Sequence, residues 1–422
     1  MTKKPKKGLS KIALISTPWP LFNRPSIQLG SLKAYLEARM SDLQIDTFYL
    51  YLQLAEAIGY HTYHDISERT WLAESMYAAL LYPGNRQQAQ RLFRKESTGK
   101  ARLQKMDFRT LTRKIKKATD SFIHSHNWQT YGLVGFSISL CQLTSALYVI
   151  KRLKKKCPKV TIVVGGALTS ATAAPALLKN FADIDMVVNG EGELPLYHII
   201  KNLRRSSSES ARSTIKGVFT RQTDALQPAA ATFTQLKRLD DLPAPDYDAY
   251  FSLLKSFKPQ KRFFPTLPVE ASRGCWWQRS VGPDQVTGCA FCNLNLQWEG
   301  YRSKPANQIS AEIDYLTGRH QTLSVALMDN VLPPKGAHKI FKQVVKLKKD
   351  LRLFGEVRAT TSLKELTAMR DCGMREVQIG IEALGSNLLK KLHSPIDGEC
   401  LEAIVHFFPV VVASSGRNAV DR

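Results

Sequence analysis

Short apolar segments recur along the first half of the chain in a pattern typical of buried strands. They are the runs 11–16 (KIALIS), 44–48, 131–139 (YGLVGFSIS), 159–166 (KVTIVVGG) and 182–193. Each has the length and apolar character of a strand in a parallel sheet that is covered on both faces. With helices between these runs, the pattern predicts an α/β fold that begins with a doubly wound parallel sheet.

Helical patterns do separate these runs. Ser26 is a suitable N-cap for the first helix. The apolar positions that line this helix and the one after the third strand are Leu29, Leu32, Leu36, Leu143, Ala146, Leu147, Ile150 and Leu153. Residues 171–180 predict a further helix, and residues 50–125 predict a mainly helical insertion.

Small and polar residues stand where three of the predicted strands end. They are Ser137, Gly165, Gly166, Gly190, Glu191 and Gly192. Ligands of doubly wound sheets bind at the carboxyl ends of the strands, and glycines there let the backbone approach a ligand. Turn glycines of an ordinary α/β domain give the same pattern. No GxGxxG motif is present, so a nicotinamide cofactor is not indicated.

A second strand-and-helix series occupies the C-terminal half of the chain. Its predicted strands are 267–272, 322–330, 352–359 and 376–383. This series is the beginning of a β/α barrel. No complete strand-and-helix unit follows residue 390, so the pattern predicts a barrel about half built. An unpaired last strand would leave an exposed apolar edge.

These patterns predict four regions. Residues 1–235 form a Rossmann-like domain with the helical insertion, and 236–262 form a linker. Residues 263–398 form the partial barrel, and 399–422 form an irregular C-terminal tail.

The chain is strongly basic, with a formal net charge of +24. Basic residues concentrate in 91–117, 151–159 and 201–217. Solvated helix faces, a site for an acidic peptide or cofactor phosphates, and a nucleic-acid surface all fit this pattern, but no nucleic-acid module is recognisable. No apolar stretch reaches the roughly 20 residues of a membrane span, and we find no export signal. These features predict a location in a reducing cytoplasm.

Three of the seven cysteines fall in one short segment, ASRGCWWQRSVGPDQVTGCAFCNLN. Cys289 and Cys292 form a CxxC pair, and Cys275 precedes it across thirteen intervening residues. Three thiolates on a four-iron cluster leave one iron open to an exogenous ligand. A closed zinc site needs four ligands, and no second CxxC pair is present. The spacing favours an iron–sulfur site, with zinc and unliganded thiols as the alternatives.

The segments VEASRGCWW, CAFCNLN and YRSKP resemble the radical S-adenosylmethionine (SAM) superfamily. More narrowly, they resemble its cobalamin-binding members that modify ribosomal peptide natural products (RiPPs). The segments VGFSIS, VVGGALTS and NGEGELP are similar to the cobalamin-binding domain of those proteins. The resemblance covers roughly residues 10–395.

The resemblance implies a role for each candidate residue. Cys275, Cys289 and Cys292 would hold a 4Fe–4S cluster, SAM would bind the open iron, and its cleavage would give a 5′-deoxyadenosyl radical. Cobalamin would supply a methyl group. The remaining residues implied to contact SAM are Phe291 at the adenine, Asp329 and Asn330 at the amino group, Arg358 at the carboxylate, and Gly380 and Glu382 near the ribose. Core packing is the alternative for the phenylalanine.

The chain departs from the superfamily pattern in three ways. The first cysteine interval is longer than in the common CxxxCxxC loop, which costs roughly 1.3 kcal/mol in closure entropy. The resemblance therefore implies that QRSVGPDQVTG forms a flap. No Asp-x-His-x-x-Gly motif offers a histidine to cobalt. About four of the superfamily's six strand-and-helix units are present, so the chain is expected to be C-terminally truncated and to turn over poorly.

The resulting hypothesis is a cobalamin-dependent radical SAM enzyme that acts on a ribosomally made precursor peptide, as a carbon methyltransferase. Its expected redox partner is an electron donor of the flavodoxin or ferredoxin type, and neither membrane nor nucleic acid is expected as a partner. The alternatives are a radical SAM enzyme acting on tRNA, a lipid or a small molecule, and an inactive remnant that binds cofactor.

Overall fold

The computed structural model describes residues 9–205, 215–221, 233–277, 279–282, 285–287, 289, 292, 299–333, 336–358, 360–382 and 410–415. The chain divides into two compact units. The first unit contains Met1–Leu236 and Pro245–Arg262, and the second contains Lys237–Ala244 and Phe263–Arg422.

The first unit is built on a six-stranded sheet with the order β2-β1-β3-β4-β5-β6. Its strands are β1 (Lys11–Ser16), β2 (Gln44–Tyr49), β3 (Leu133–Ser137), β4 (Thr161–Gly165), β5 (Met186–Val188) and β6 (Val218–Phe219). The first five are parallel, and β6 joins β5 in antiparallel fashion. The order 2-1-3-4-5 is that of flavodoxin-like sheets, whose switch point lies between β1 and β3. The predicted doubly wound sheet is confirmed.

Four helices flank this sheet, and the sequence predicts the first three of them. They are α1 (Ile27–Glu37), α8 (Leu143–Lys156), α9 (Ala173–Asn180) and α10 (Glu193–Arg205). The Ser26 hydroxyl accepts a hydrogen bond from the Leu29 amide at 3.3 Å and so caps α1. Leu29 and Leu36 are buried, as the inner face of this helix requires.

The predicted helical insertion between β2 and β3 is also confirmed. Its helices are α2 (Leu50–Ile58), α3 (Tyr60–Ser67), α4 (Thr70–Leu81), α5 (Arg86–Glu96), α6 (Ala101–Gln104) and α7 (Phe108–His124). No helix within the described ranges is both long and apolar enough to cross a bilayer.

The region predicted as a linker, 236–262, contains a helix that packs in the first unit. This helix is α11 (Asp248–Ser256), and its Tyr250 is fully buried. The Tyr250 hydroxyl donates to the Phe22 carbonyl at 2.6 Å. Residues 245–262 are therefore part of the first unit, and only Lys237–Ala244 of this region belongs with the second unit.

The second unit contains a five-stranded parallel sheet with the order β15-β14-β13-β12-β7. Its strands are β7 (Leu267–Val269), β12 (Ser324–Leu327), β13 (Arg352–Arg358), β14 (Met374–Glu382) and β15 (Val410–Ser415). Its helices are α12 (Ala306–His320), α13 (Ala337–Val345) and α14 (Leu363–Asp371). The four predicted barrel strands are all present.

One expectation about this sheet is wrong. The sequence predicts an unpaired edge at the fourth strand and an irregular tail over 399–422. Instead, β14 pairs on both sides, because β15 lies parallel to it from the Glu376–Val410 pair onward. β15 begins at Val410, the residue that follows Pro409 in the sequence run FFPVVVA.

Candidate cofactor sites

The carboxyl ends of β3 and β4 form one edge of the first sheet. Ser137 and Gly165 are register partners at this edge, and both are partly exposed, whereas the strands behind them are buried. The Ile138 amide donates to the Gly165 carbonyl at 2.7 Å, which extends the pairing into the loops. The predicted strand-end residues are therefore accessible at the edge where ligands of such folds bind.

Gly166 holds these two loops together. Its φ is +117°, a conformation that L side chains rarely adopt. A Cβ at this position would lie 2.4 Å from the Ile138 carbonyl oxygen, so any side chain would push the two loops apart. The Thr169 hydroxyl lies 2.7 Å from the Gly166 carbonyl oxygen and 2.6 Å from that of Val188, which fixes the loop to β5.

The loop after β5 contains the other three predicted residues. Gly190 has a φ of +91°, and a Cβ on Gly192 would lie 3.1 Å from the Leu32 side chain of α1. Glu191 is buried, and its carboxylate accepts a hydrogen bond from the Leu236 amide at 2.6 Å. The two glycines are thus partly exposed backbone positions, whereas the Glu191 carboxylate anchors a neighbouring segment.

Gln142 ties the switch point together, and the sequence did not reveal it. Its side chain is buried, donates to the Thr17 carbonyl at 2.6 Å and accepts from the Ser139 amide at 2.9 Å. Ser145 donates to the Pro18 carbonyl at 2.5 Å. These bonds join the turn after β1 to the loop after β3. The only sequence signal is a polar residue next to an apolar helix face.

Glu74, from the helical insertion, is a second residue that sequence reasoning missed. Its carboxylate accepts hydrogen bonds from the Leu143 amide at 3.0 Å and the Thr144 amide at 2.8 Å. An anion at a helix N-terminus is stabilised by these unsatisfied amides and by the helix dipole. The α8 N-terminus therefore already binds a carboxylate of the chain itself.

The edge fits a large planar ligand that lies against backbone. Four partly exposed glycines line it, and at Gly166 a Cβ would occupy the space that the neighbouring loop uses. Just below the edge, Asn189 is buried, and its side-chain oxygen has no hydrogen-bond partner within the described part of the chain. A buried acceptor of this kind normally has a partner, so a donor group on a ligand would complete it.

The three clustered cysteines, Cys275, Cys289 and Cys292, lie in the second unit, in a loop that follows β7. The chain continues through the short strand β8 (Ser272–Arg273), which pairs with β11 (Arg302–Ser303). Cys275 follows Gly274, whose φ is +86°. The segment that the resemblance implies is a flap contains an antiparallel hairpin of β9 (Arg279–Gly282) and β10 (Gln285–Thr287).

The CxxC pair closes with a turn. The Cys292 amide donates to the Cys289 carbonyl at 3.0 Å. All three thiols of the loop are partly exposed, and none of the six described cysteines is in a disulfide. Reduced, accessible thiols are the donors that an iron–sulfur cluster requires, so the loop fits such a cluster.

Asp329 braces the start of the cysteine loop. The Ser272 hydroxyl donates to one carboxylate oxygen, and the Ala271 amide donates to the other at 3.2 Å. Burial raises the pKa of Asp329 to about 7, against the opposing effect of these hydrogen bonds. Tyr301 lies close by, and burial followed by the charges of Asp329 and Cys275 raises its pKa. The hydrogen bonds of the Asp329 carboxylate are thus made to the start of the cysteine loop.

Arg358, at the end of β13, faces the two tryptophans of the cysteine loop. Its guanidinium carbon lies 4.7 Å from the Trp277 ring centroid and 5.6 Å from that of Trp276. The Trp276 indole donates to the Leu332 carbonyl at 2.9 Å. Arg358 Nε is buried and has no hydrogen-bond acceptor among the described residues, so it can donate to an anionic ligand.

The structure describes the other predicted SAM-contacting residues to different extents. Asn330 is exposed after β12. Gly380, two residues before the end of β14, is the register partner of Arg358, the last residue of β13. Glu382 is the last residue of β14, and only its backbone is described. Phe291 lies outside the described residues.

A buried ion pair stabilises the far end of the cysteine loop. Lys304 Nζ lies 2.7 Å from a carboxylate oxygen of Glu312 on α12, and both side chains are 3% exposed. The Lys304 amide donates to the Ala271 carbonyl at 2.8 Å. Burial raises the pKa of Glu312, and the Lys304 charge opposes that shift. Lys304 therefore ties the end of the loop to its beginning.

A comparison with known proteins agrees with this architecture. Residues 102–200, which contain β3, β4 and β5, match the B12 binding domain family. The chain is 24% identical to an uncharacterized methyltransferase of Pyrococcus horikoshii over 61% of this chain and 53% of that protein. It is also 24% identical to the anaerobic magnesium-protoporphyrin IX monomethyl ester cyclase of Rubrivivax gelatinosus, over 57% of this chain and 42% of the cyclase. The chain spans about half the length of these curated relatives.

Solved structures of similar fold include the cobalamin-dependent radical SAM enzyme OxsB and the radical SAM methyltransferase TsrM. OxsB with aqua-cobalamin superposes with a TM-score of 0.62 at 14% identity, over 96% of this chain and 49% of OxsB. TsrM of Kitasatospora setae, bound to tryptophan and a SAM analogue, superposes with a TM-score of 0.61 at 13% identity. The match covers 95% of this chain and 67% of TsrM. TsrM with cobalamin and a [4Fe–4S] cluster bound superposes with a TM-score of 0.60 at 14% identity. The match covers 96% of this chain and 69% of TsrM.

The chain therefore has a mixed α/β fold similar to that of OxsB and TsrM, and residues 102–200 of its first unit are similar to the B12 binding domain family. The predicted fold class is confirmed. The narrower resemblance to enzymes of peptide maturation, the expected truncation and the expected cytoplasmic location remain predictions.

Proposed function

We propose that the protein is a cobalamin-dependent radical SAM enzyme that methylates carbon on a ribosomally made peptide. The observation that carries the proposal is the pairing of two sites in one chain: an edge of partly exposed glycines in a B12-binding domain, and a loop of three reduced thiols on a parallel sheet. When bound, the cluster and SAM supply radical chemistry, and cobalamin supplies the methyl group.

Each part of the chain has a binding or positioning role in this proposal. Cys275, Cys289 and Cys292 would hold the cluster. Arg358 would bind the SAM carboxylate through its guanidinium, which lies against the Trp277 ring and has an Nε without an acceptor among the described residues. Asp329 keeps the start of the loop in place through Ser272.

The substrate class rests on the sequence resemblance to peptide-modifying members of the superfamily. A small-molecule substrate is the second candidate, because the structure of TsrM contains tryptophan as substrate. The cyclase relative also acts on a small molecule by its name. Both candidates share the cofactor chemistry and differ in the acceptor of the methyl group.

Methyl transfer from labelled SAM tests the proposal. The anaerobically reconstituted chain is incubated with trideuteromethyl-SAM, cobalamin, a chemical reductant and either a random peptide library or free tryptophan. We expect label in carbon-bound methyl groups of the peptides, lost in Cys289→Ala. Cys372→Ala is the matched control, since Cys372 is a buried cysteine of the same unit outside the loop. Label in tryptophan alone would establish the second candidate, and label in neither would contradict both.

A further inference from the structure

An open groove of about 730 Å³ lies in the first unit, away from the cofactor edge. Ala182 and Asp183 precede β5, and Pro158 precedes β4. In a parallel sheet, residues before the strands lie at the amino-terminal edge, opposite the edge where cofactors bind. The groove is therefore separate from the site described above. Its volume is within the range of ligand-binding clefts.

The groove has an unusual concentration of positive charge. One of the basic side chains that line it, Lys116, comes from α7, and the other four come from α8: Lys151, Arg152, Lys154 and Lys155. A solvated helix face presents its cations outward from one element, whereas these cations converge from two helices on one concavity. Such convergence raises the local concentration of anions.

Part of this charge is neutralised inside the protein. Asp120 pairs with Lys116 and with Arg152, the latter at 2.9 Å, and Asp185 pairs with Lys154 at 2.8 Å. Asp183 is the one carboxylate among the lining residues. Five cations thus face three carboxylates, and two positive charges remain.

Lys151 and Lys155 carry this excess charge. Both are exposed, and neither has a hydrogen bond or ion pair within the described ranges. They stand four residues apart on α8, a spacing at which like charges repel and destabilise a helix. An anionic partner would relieve this repulsion.

The lining of the groove also includes apolar side chains, which favours a peptide over a nucleic acid. They include Leu80, Leu81, Pro83 and Tyr148. Tyr148 is the one aromatic side chain of the lining, is 6% exposed and packs against Tyr77, with ring centroids 5.8 Å apart. Single-stranded nucleic acid is usually bound on exposed aromatic rings, and no such ring lines this groove. Leucine-like side chains of a peptide fit the apolar part of this lining.

We propose that this groove binds an acidic peptide segment whose carboxylates contact Lys151 and Lys155 and whose apolar side chains cover Leu80 and Leu81. The identification of that segment as part of the substrate peptide rests on the proposed function. The binding itself requires neither cluster nor cobalamin, so it is tested separately from catalysis.

Fluorescence anisotropy on the full chain tests the groove with three labelled probes. These are a peptide of alternating glutamate and leucine, a peptide of alternating glutamate and serine with the same charge, and an oligothymidylate of the same charge. The test variant is Lys151→Glu with Lys155→Glu. The matched control is Arg91→Glu with Lys95→Glu, an exposed pair with the same spacing on α5 that does not line the groove.

We expect the glutamate–leucine peptide to bind most tightly, and the test variant to weaken it about tenfold or more, since each reversed lysine removes one attraction and adds one repulsion. The control should change this affinity by less than about threefold. Three results would overturn the proposal: equal weakening by both variants, equal affinity of the two peptides, or tighter binding of the oligothymidylate that the test variant abolishes. The last of these would indicate a nucleic-acid site.

Discussion

Replacing Lys304 with methionine should loosen the cysteine loop more than most single substitutions. The lysine and Glu312 form an ion pair at 2.7 Å with both side chains 3% exposed, so Lys304→Met leaves a carboxylate buried without its counter-ion. Glu312 Oε1 has no hydrogen-bond partner in the described part of the chain, so no other donor is in place to compensate. Breaking a buried ion pair by removing one partner costs about 3–5 kcal/mol.

The loss should depend on pH in a defined direction. Burial already raises the pKa of Glu312, and the Lys304 charge opposes the shift, so Lys304→Met raises that pKa further. A carboxyl group whose folded pKa lies above its unfolded value favours folding fully at low pH. This contribution is lost as pH rises through the folded pKa. The variant should therefore be closest to wild type in acid and weakest in mild alkali.

Hydrogen exchange of peptides from α12 measures this effect locally. A loss of about 3 kcal/mol at pH 8 corresponds to exchange faster by about two orders of magnitude, with a smaller difference at pH 6. The double variant Lys304→Met with Glu312→Leu is the control, since replacing both charges with apolar groups should recover much of the protection. Exchange of Lys304→Met equal to wild type at pH 8, or a double variant no better than the single one, would refute the reasoning.

Three further predictions concern the two sites. Gly166→Ala should weaken cobalamin binding at least tenfold by equilibrium dialysis, because a Cβ would lie 2.4 Å from the Ile138 carbonyl oxygen; unchanged affinity would refute the role of the close approach. Glu74→Ala should lower the free energy of unfolding by about 1–2 kcal/mol in urea titrations, with Glu74→Gln between it and wild type, because the α8 amides lose their acceptor; equal stability of all three proteins would refute it. The free energy of unfolding of the wild type should fall as pH rises from 5.5 to about 7, where the buried Asp329 carboxyl ionises, and Asp329→Asn should remove this fall. Parallel pH profiles of the two proteins would show that Asp329 is already ionised in the folded protein.

The parts of the fold that the sequence predicts are those with strong local patterns. The strands β1, β3 and β4 are continuous apolar runs because both faces of their sheet are covered. Ser26 caps α1 through a contact three residues away. By contrast, β6 has two residues and no periodicity, so it escapes any pattern search.

The contacts that define the sites are long-range, and the sequence does not encode them locally. Asp329 lies 57 residues from Ser272, and Glu74 lies 69 residues from Leu143. Sequence reasoning could place Asp329 at a strand end, yet its hydrogen bonds to the loop depend on how the fold brings β12 next to the start of that loop. The three clustered cysteines could be predicted as cluster ligands from the sequence, because their residue type and close spacing are visible there.

The electronic spectrum of the anaerobically reconstituted protein, with iron and cobalamin quantified, tests the central claim most directly. The account predicts about four irons per chain, as a 4Fe–4S cluster requires. It also predicts absorption bands of both an iron–sulfur cluster and a corrin. Cys289→Ala should lose the cluster and Cys372→Ala should retain it, whereas both variants should still bind cobalamin. A colourless protein, stoichiometric zinc at the loop, or iron that Cys289→Ala leaves unchanged would contradict it.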